Sequence, residues 1–140
     1  MTHATRVVVD TYAWVEVLRG SREGRKALEV IGAAQEVYTP SIVLVELAAK
    51  LAREGASEEE IHDTLREILE ASDLVEITPR LAVEAAKCRR ILEEHAKRRG
   101  LRSKPSLADA IILAAARMLG AKVLTGDKHF EGLPETIWLG

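Results

Sequence analysis

Short runs of β-branched residues alternate with longer stretches of helical period along the whole chain, and this alternation limits the available folds more than any other feature. Arg6-Val7-Val8-Val9 reads as a buried strand because it is apolar on both faces. Thr11–Leu18 and Gly24–Ala34 read as helices broken near Gly20, and Glu36-Val37-Tyr38 as a second strand. Thr39-Pro40-Ser41 is expected to open a helix that runs to about Glu54, since proline is preorganised for a first turn, and Gly55 ends it. Ser57 followed by Glu60 is a capping box and starts a helix reaching about Ala71. Leu74–Ile77 is expected as the third strand. Thr78-Pro79 opens a long helix ending near Gly100, and Pro105-Ser106 opens another that Gly120 ends. Lys122–Thr125 is the fourth strand and Thr136–Leu139 the fifth. Nearly all-apolar strands separated by helices predict an α/β, three-layer α/β/α sandwich around a mostly parallel sheet of about five strands. No repeat or linker interrupts the pattern, so residues 1–140 are expected to form one domain.

Ligands of such sheets sit beyond the carboxyl ends of the strands, which directs attention to the residues placed there. Asp10 directly follows the first strand and Asp127 follows the fourth, in Thr125-Gly126-Asp127. Each has an ordinary explanation: Asp10 as a helix N-cap and Asp127 as a turn residue. Thr11 beside Asp10 is a candidate to cap the helix or to orient a bound water. Asp109 lies in Ser106-Leu107-Ala108-Asp109-Ala110-Ile111-Ile112, where no cation stands three or four residues away. An isolated carboxylate in an apolar helix is costly unless a cap, a metal or a distant group compensates it. Glu46 sits among Ile42, Val43 and Ala49 with Lys50 four residues on, so a surface ion pair competes with a purposeful carboxylate. The joint placement of the four acids favours a metal site. Clustered carboxylates repel without a cation, and hard oxygen donors suit Mg²⁺ or Mn²⁺.

The bulk numbers narrow the setting. One cysteine, Cys88, excludes an internal disulfide and a multi-cysteine zinc site, and points to a cytoplasmic location; Cys88 itself reads as a packing residue. The stretch Met1–Val9 carries no apolar core or cleavage signature of a signal peptide, and no apolar run is long enough to span a bilayer. The chain has no asparagine, a single glutamine and 30% charged residues, a composition suited to high temperature. A formal net charge of −2 provides no global field for nucleic acid, so any such binding must come from a local patch.

Four segments together resemble the PIN domain family, and within it the VapC-type toxin nucleases. They are Val8-Val9-Asp10-Thr11, Val45-Glu46-Leu47, Leu107-Ala108-Asp109-Ala110-Ile111-Ile112, and Leu124-Thr125-Gly126-Asp127-Lys128-His129-Phe130. The resemblance covers nearly the whole chain. It implies a doubly wound sheet and a Mg²⁺- or Mn²⁺-dependent endoribonuclease leaving a 5′-phosphate and a 3′-hydroxyl. It also implies a homodimer and inhibition by a cognate antitoxin. On this resemblance Asp10, Glu46, Asp109 and Asp127 are the acidic site, with Thr125 a supporting hydroxyl; the mechanism expected of such a site takes Asp10, Asp109 and Asp127 as metal ligands and Glu46 as orienting the nucleophile. PIN domains also serve other RNA processing, and a non-catalytic scaffold is a further alternative that loss of one acid would have marked.

An RNA substrate needs a cationic approach, and Arg98, Arg99, Arg102 and Lys104 form one with no acid between them. Upstream, Lys87, Arg89 and Arg90 alternate with Glu84 and Glu93 and read as a solvated helix face. Two other classes fit less well. A haloacid-dehalogenase-like phosphatase needs a second acid two residues after the first, where this chain has Tyr12. A phosphoacceptor receiver needs an aspartate after a central strand, whereas the third strand is followed by Thr78-Pro79.

Overall fold

A computed structural model describes residues 5–140; of the N-terminal stretch read for a signal peptide, residues 1–4 lie outside the described residues. Five strands, β1 (Arg6–Val9), β2 (Glu36–Pro40), β3 (Asp73–Val75), β4 (Lys122–Thr125) and β5 (Thr136–Trp138), form one sheet in the order β3-β2-β1-β4-β5. Every pairing is parallel. Helices α1 (Thr11–Arg19) and α2 (Arg22–Ala33) lie between β1 and β2, α3 (Ser41–Arg53) and α4 (Glu58–Ala71) between β2 and β3, and α5 (Pro79–Arg98) and α6 (Leu107–Leu119) between β3 and β4. Parallel neighbours require such crossovers, and the expected α/β/α sandwich is what forms. The strand order turns back at β1, whose two neighbours are β2 and β4. A reversal of this kind leaves a crevice at the carboxyl ends of the two strands beside it.

Burial follows the apolar pattern. Val7, Val8 and Val9 are fully buried, as are Val123 and Leu124 on the neighbouring strand. In α6 every residue from Ala110 to Ala116 is buried, which its nearly all-round apolar sequence requires. Trp14 is core, with its indole Nε1 donating to Thr39 Oγ1 at 3.1 Å, and Cys88 packs with no exposure. Gly24 is required by a close approach, because a Cβ there would overlap the Glu16 carbonyl as α2 folds back on α1.

Element bounds shift by one or two residues from expectation, with α2 starting at Arg22 and β5 ending at Trp138, and two shifts are set by strand pairing. The second strand continues through Thr39 and Pro40, which pair with Leu74 and Val75, so helix α3 begins only at Ser41. Proline at a strand end needs no ladder donor, and its extended ψ makes it the residue before the helix rather than the first within it. The third strand is Asp73–Val75 rather than Leu74–Ile77, set by register with β2. Thr78 caps α5 and Ser57 forms its capping box with Glu60. Among the described residues no helix is long and apolar enough to cross a membrane.

Candidate active site

The crevice at the carboxyl ends of β1 and β4 receives Asp10 from one strand and Asp127 from the turn after the other. Asp10 is 3% exposed and caps α1, with Oδ1 accepting the Ala13 N–H at 2.9 Å. The cap and ligand readings are therefore not exclusive: the helix fixes one oxygen and orients the other. Burial pushes the Asp10 carboxyl from 3.8 up to about 7, opposed by hydrogen bonds from Thr125 and Ala13 and reinforced by the charges of Asp127 and Asp109. These influences place three carboxylates within one electrostatic neighbourhood.

Thr125 is fully buried and joins two of them. Its Oγ1 accepts the Asp127 N–H at 2.9 Å, and its hydroxyl favours the ionised form of Asp10. Asp127 in turn accepts the His129 N–H at 2.9 Å. The intervening Gly126 is needed for space, since a Cβ there would overlap the ring of Tyr12.

Asp109 arrives on the first turn of α6. A capping box holds it, with Ser106 N–H donating to Oδ2 at 2.9 Å and Asp109 N–H donating to Ser106 Oγ at 3.0 Å. Burial raises its pKa, the Ser106 backbone bond lowers it, Asp127 raises it and His129 lowers it. The capping explanation and the site explanation again coexist.

Glu46 enters by another route. Lys50 pairs with Glu54 at 3.4 Å, so the expected competitor for Glu46 is engaged elsewhere. Glu46 Oε1 instead accepts the Thr11 hydroxyl at 2.5 Å, which ties α3 to the first turn of α1 beside Asp10. Among the described residues none of the four acids forms an ion pair.

From the sequence alone, neither His129 nor Tyr12 had a role beside the acids. His129 Nε2 lies 3.1 Å from Ser103 Oγ, and its Nδ1 is buried with no hydrogen-bond partner among the described residues. The signal for His129 was its place two residues after Asp127. For Tyr12 there was none, because its contact with Gly126 spans most of the chain.

A family model for the PIN domain matches residues 7–135. The chain belongs to the PIN domain family. This PIN chain is similar in fold to solved structures over nearly its whole length. A toxin–antitoxin complex from Klebsiella pneumoniae has 22% identity and a TM-score of 0.69, covering 96% of this chain and 98% of that one. VapC20 from Mycobacterium tuberculosis, a sarcin–ricin loop cleaving toxin, has 20% identity and a TM-score of 0.68, covering 91% and 95%. PAE2754 from Pyrobaculum aerophilum has 18% identity and a TM-score of 0.58, covering 97% and 88%. No curated protein matches the chain in sequence.

The carboxylates of this PIN domain suit a hard divalent cation by donor type and by shared charge. Convergence is partial: among the described residues no three His, Cys, Asp or Glu side chains form a closed cluster of metal-binding geometry. Hydrogen bonding explains the arrangement. Asp10, Asp109 and Asp127 each turn one oxygen to a local N–H.

The expected RNA-contacting residues divide. Arg98, Arg102 and Lys104 are exposed. Arg99 is paired with Glu131 at 2.7 Å. The acid thought absent from this stretch is supplied by a turn far along the chain.

Proposed function

We propose that this chain is a Mg²⁺- or Mn²⁺-dependent endoribonuclease acting as the toxin of a toxin–antitoxin pair. The reading takes residues 1–140 as one nuclease domain of a cytoplasmic homodimer. The observation that carries it is the placement of Asp10 and Asp127 at the strand-order reversal of a PIN domain, with Asp109 on the first turn of α6. The toxin and RNA parts draw support from the structural neighbours, which include a toxin–antitoxin complex and a sarcin–ricin loop cleaving toxin. An antitoxin protein is the corresponding partner.

Asp10 and Asp109 are the principal metal ligands in this reading, and Asp127 contributes directly or through water. A bound divalent ion lowers the pKa of water and offsets negative charge on phosphoryl oxygens. Glu46, held by the Thr11 hydroxyl, accepts a hydrogen bond from the attacking water and aligns it with the phosphorus. Thr125 keeps Asp10 and Asp127 in register and favours the ionised form of Asp10. Arg98, Arg102 and Lys104 hold substrate phosphates without reading sequence.

The test is cleavage of a structured RNA by the purified chain with Mn²⁺, compared with Asp10→Asn. The substitution keeps a capping side chain, because asparagine caps as well as aspartate. Undiminished cleavage by the variant rejects the site. For the toxin part, the readout is growth arrest on expression, relieved by a small protein encoded next to this gene; arrest that no neighbouring product relieves rejects that part.

A further inference from the structure

The turn that carries Asp127 has no helix or strand to hold it, yet its carbonyls are taken up by side chains from elsewhere. Arg99, at the end of α5, donates through Nη1 to the carbonyls of Lys128 and Glu131, both at 2.9 Å. Its Nη2 donates to Glu131 Oε1 at 2.7 Å. One turn earlier on the same helix, His95 Nε2 donates to the Glu131 carbonyl at 2.7 Å, and its ring lies against Gly132. A carbonyl only accepts, so this bond sets the proton on Nε2. Thr136 Oγ1 donates to the Phe130 carbonyl at 2.8 Å. The Phe130 ring is fully buried, and its N–H donates to the Asp127 carbonyl at 3.0 Å.

We infer that His95 and Arg99 form a clamp that fixes the turn from Asp127 to Glu131, making them positioning residues for Asp127 rather than phosphate ligands. The inference rests on the metal-site reading above and deepens it. The geometry distinguishes the two roles. A guanidinium that makes three hydrogen bonds to one turn has few donors left for phosphate, whereas the side chains of Arg98 and Arg102, exposed as Arg99 is, make no hydrogen bond or ion pair among the described residues. The clamp also explains a spacing. Residues 95 and 99 are one helical turn apart, so both side chains project from one face of α5, and they meet on the same carbonyl, that of Glu131. Arg99 then reaches on to Lys128, next to Asp127.

The experiment uses the full chain with four variants: Arg99→Ala, Arg99→Lys, His95→Gln and, as comparator, Arg102→Ala. Mn²⁺ affinity is read by calorimetry, amide exchange of residues 127–131 by mass spectrometry, and the KM for RNA at several salt concentrations. Groups that orient metal ligands typically contribute about 10- to 100-fold in metal affinity. Arg99→Ala is therefore expected to weaken Mn²⁺ binding by about 10-fold or more and to speed exchange in the turn, with the salt dependence of KM unchanged. Arg99→Lys recovers part of the affinity, since one ammonium cannot reproduce the planar fork. His95→Gln retains a donor and shows a smaller loss. Arg102→Ala raises KM and flattens the salt dependence, with Mn²⁺ affinity intact.

Wild-type Mn²⁺ affinity in Arg99→Ala overturns the clamp, whether or not the turn exchanges faster. A flattened salt dependence in that variant also overturns it, by returning Arg99 to the RNA path. Failure of the wild-type chain to bind Mn²⁺ is a different result: it removes the metal-site reading and the inference with it. Arg99 is partly exposed, so the melting temperature of each variant serves to confirm that folded chains are being compared.

Discussion

Thr125 Oγ1 accepts the Asp127 N–H at 2.9 Å, and the same hydroxyl opposes the burial that raises the Asp10 pKa. Thr125→Val keeps the shape and removes the hydroxyl. Asp10 then becomes harder to ionise, so the acidic limb of the pH–rate profile moves to higher pH. Cleavage at and below neutral pH is expected to fall about 10-fold, the lower end for loss of a group orienting a metal ligand. A profile measured at fixed Mn²⁺ concentration checks this, and an unmoved acidic limb contradicts it.

Asp10 also makes stability depend on pH. Its folded-state pKa of about 7 lies above the ordinary 3.8, so between those values the folded chain binds more protons than the unfolded chain. Stability contributed by the protonated form is fully present below 3.8 and is lost as pH rises through about 7. Asp109 shifts in the same direction. The full cost of ionising Asp10 is on the order of 4 kcal/mol. Asp10→Asn removes the ionisation and keeps a cap, so its denaturant midpoint, measured without divalent metal, should fall less over this pH range. Parallel curves for the two proteins contradict the assignment.

Tyr12 and Gly126 form a second checkable pair. Gly126→Ala inserts a Cβ into the space of the Tyr12 ring and is expected to cost about 1–3 kcal/mol, the usual cost of overpacking. No positive φ is involved at Gly126, so the cost is steric and should be relieved in the double variant with Tyr12→Ala. Additive costs in the double-mutant cycle contradict the steric account.

The exposed basic residues Arg102 and Lys104 should act through phosphate charge. Replacing either with alanine is expected to raise KM and to reduce the slope of log KM against log salt by about 1 per lost contact. The effect should be the same for RNA substrates of different sequence. A sequence-dependent change in KM contradicts this role.

Thr11→Val frees Glu46 from its hydroxyl partner, a bond to a charged group expected to contribute about 1.5–3 kcal/mol. Thr11→Ser retains the donor. Loss of cleavage in the valine variant with recovery in the serine variant supports an orienting role for Glu46, and equal activity of both contradicts it.

Most of the architecture was legible because its signals are local. The Val7–Val9 run, the Ser57–Glu60 box and the Gly120 stop each report on a few neighbouring residues, and the structure reproduces them. The shifted starts of α3 and β3 lie where pairing decides. Pro40 and Val75 are opposite each other in a ladder, and no window along the chain contains both. The site divides in the same way. Asp10 and Asp127 could be placed from the ends of their strands. The release of Glu46 from Lys50 and its capture by Thr11 could not, because Glu46 and Glu54 stand four residues before and four after Lys50 and are equally available to it.

The sequence by itself determined the alternation of strands and helices, the helix caps and the carboxylates at the strand ends, since backbone propensity and hydrophobic period act over one or two turns. Tertiary structure alone decided that Thr125 joins Asp10 to Asp127 and that Arg99 meets Glu131. Hydrogen bonds and ion pairs form between whichever groups the fold brings within about 3 Å, and that proximity is set by strand order and packing rather than by spacing along the chain.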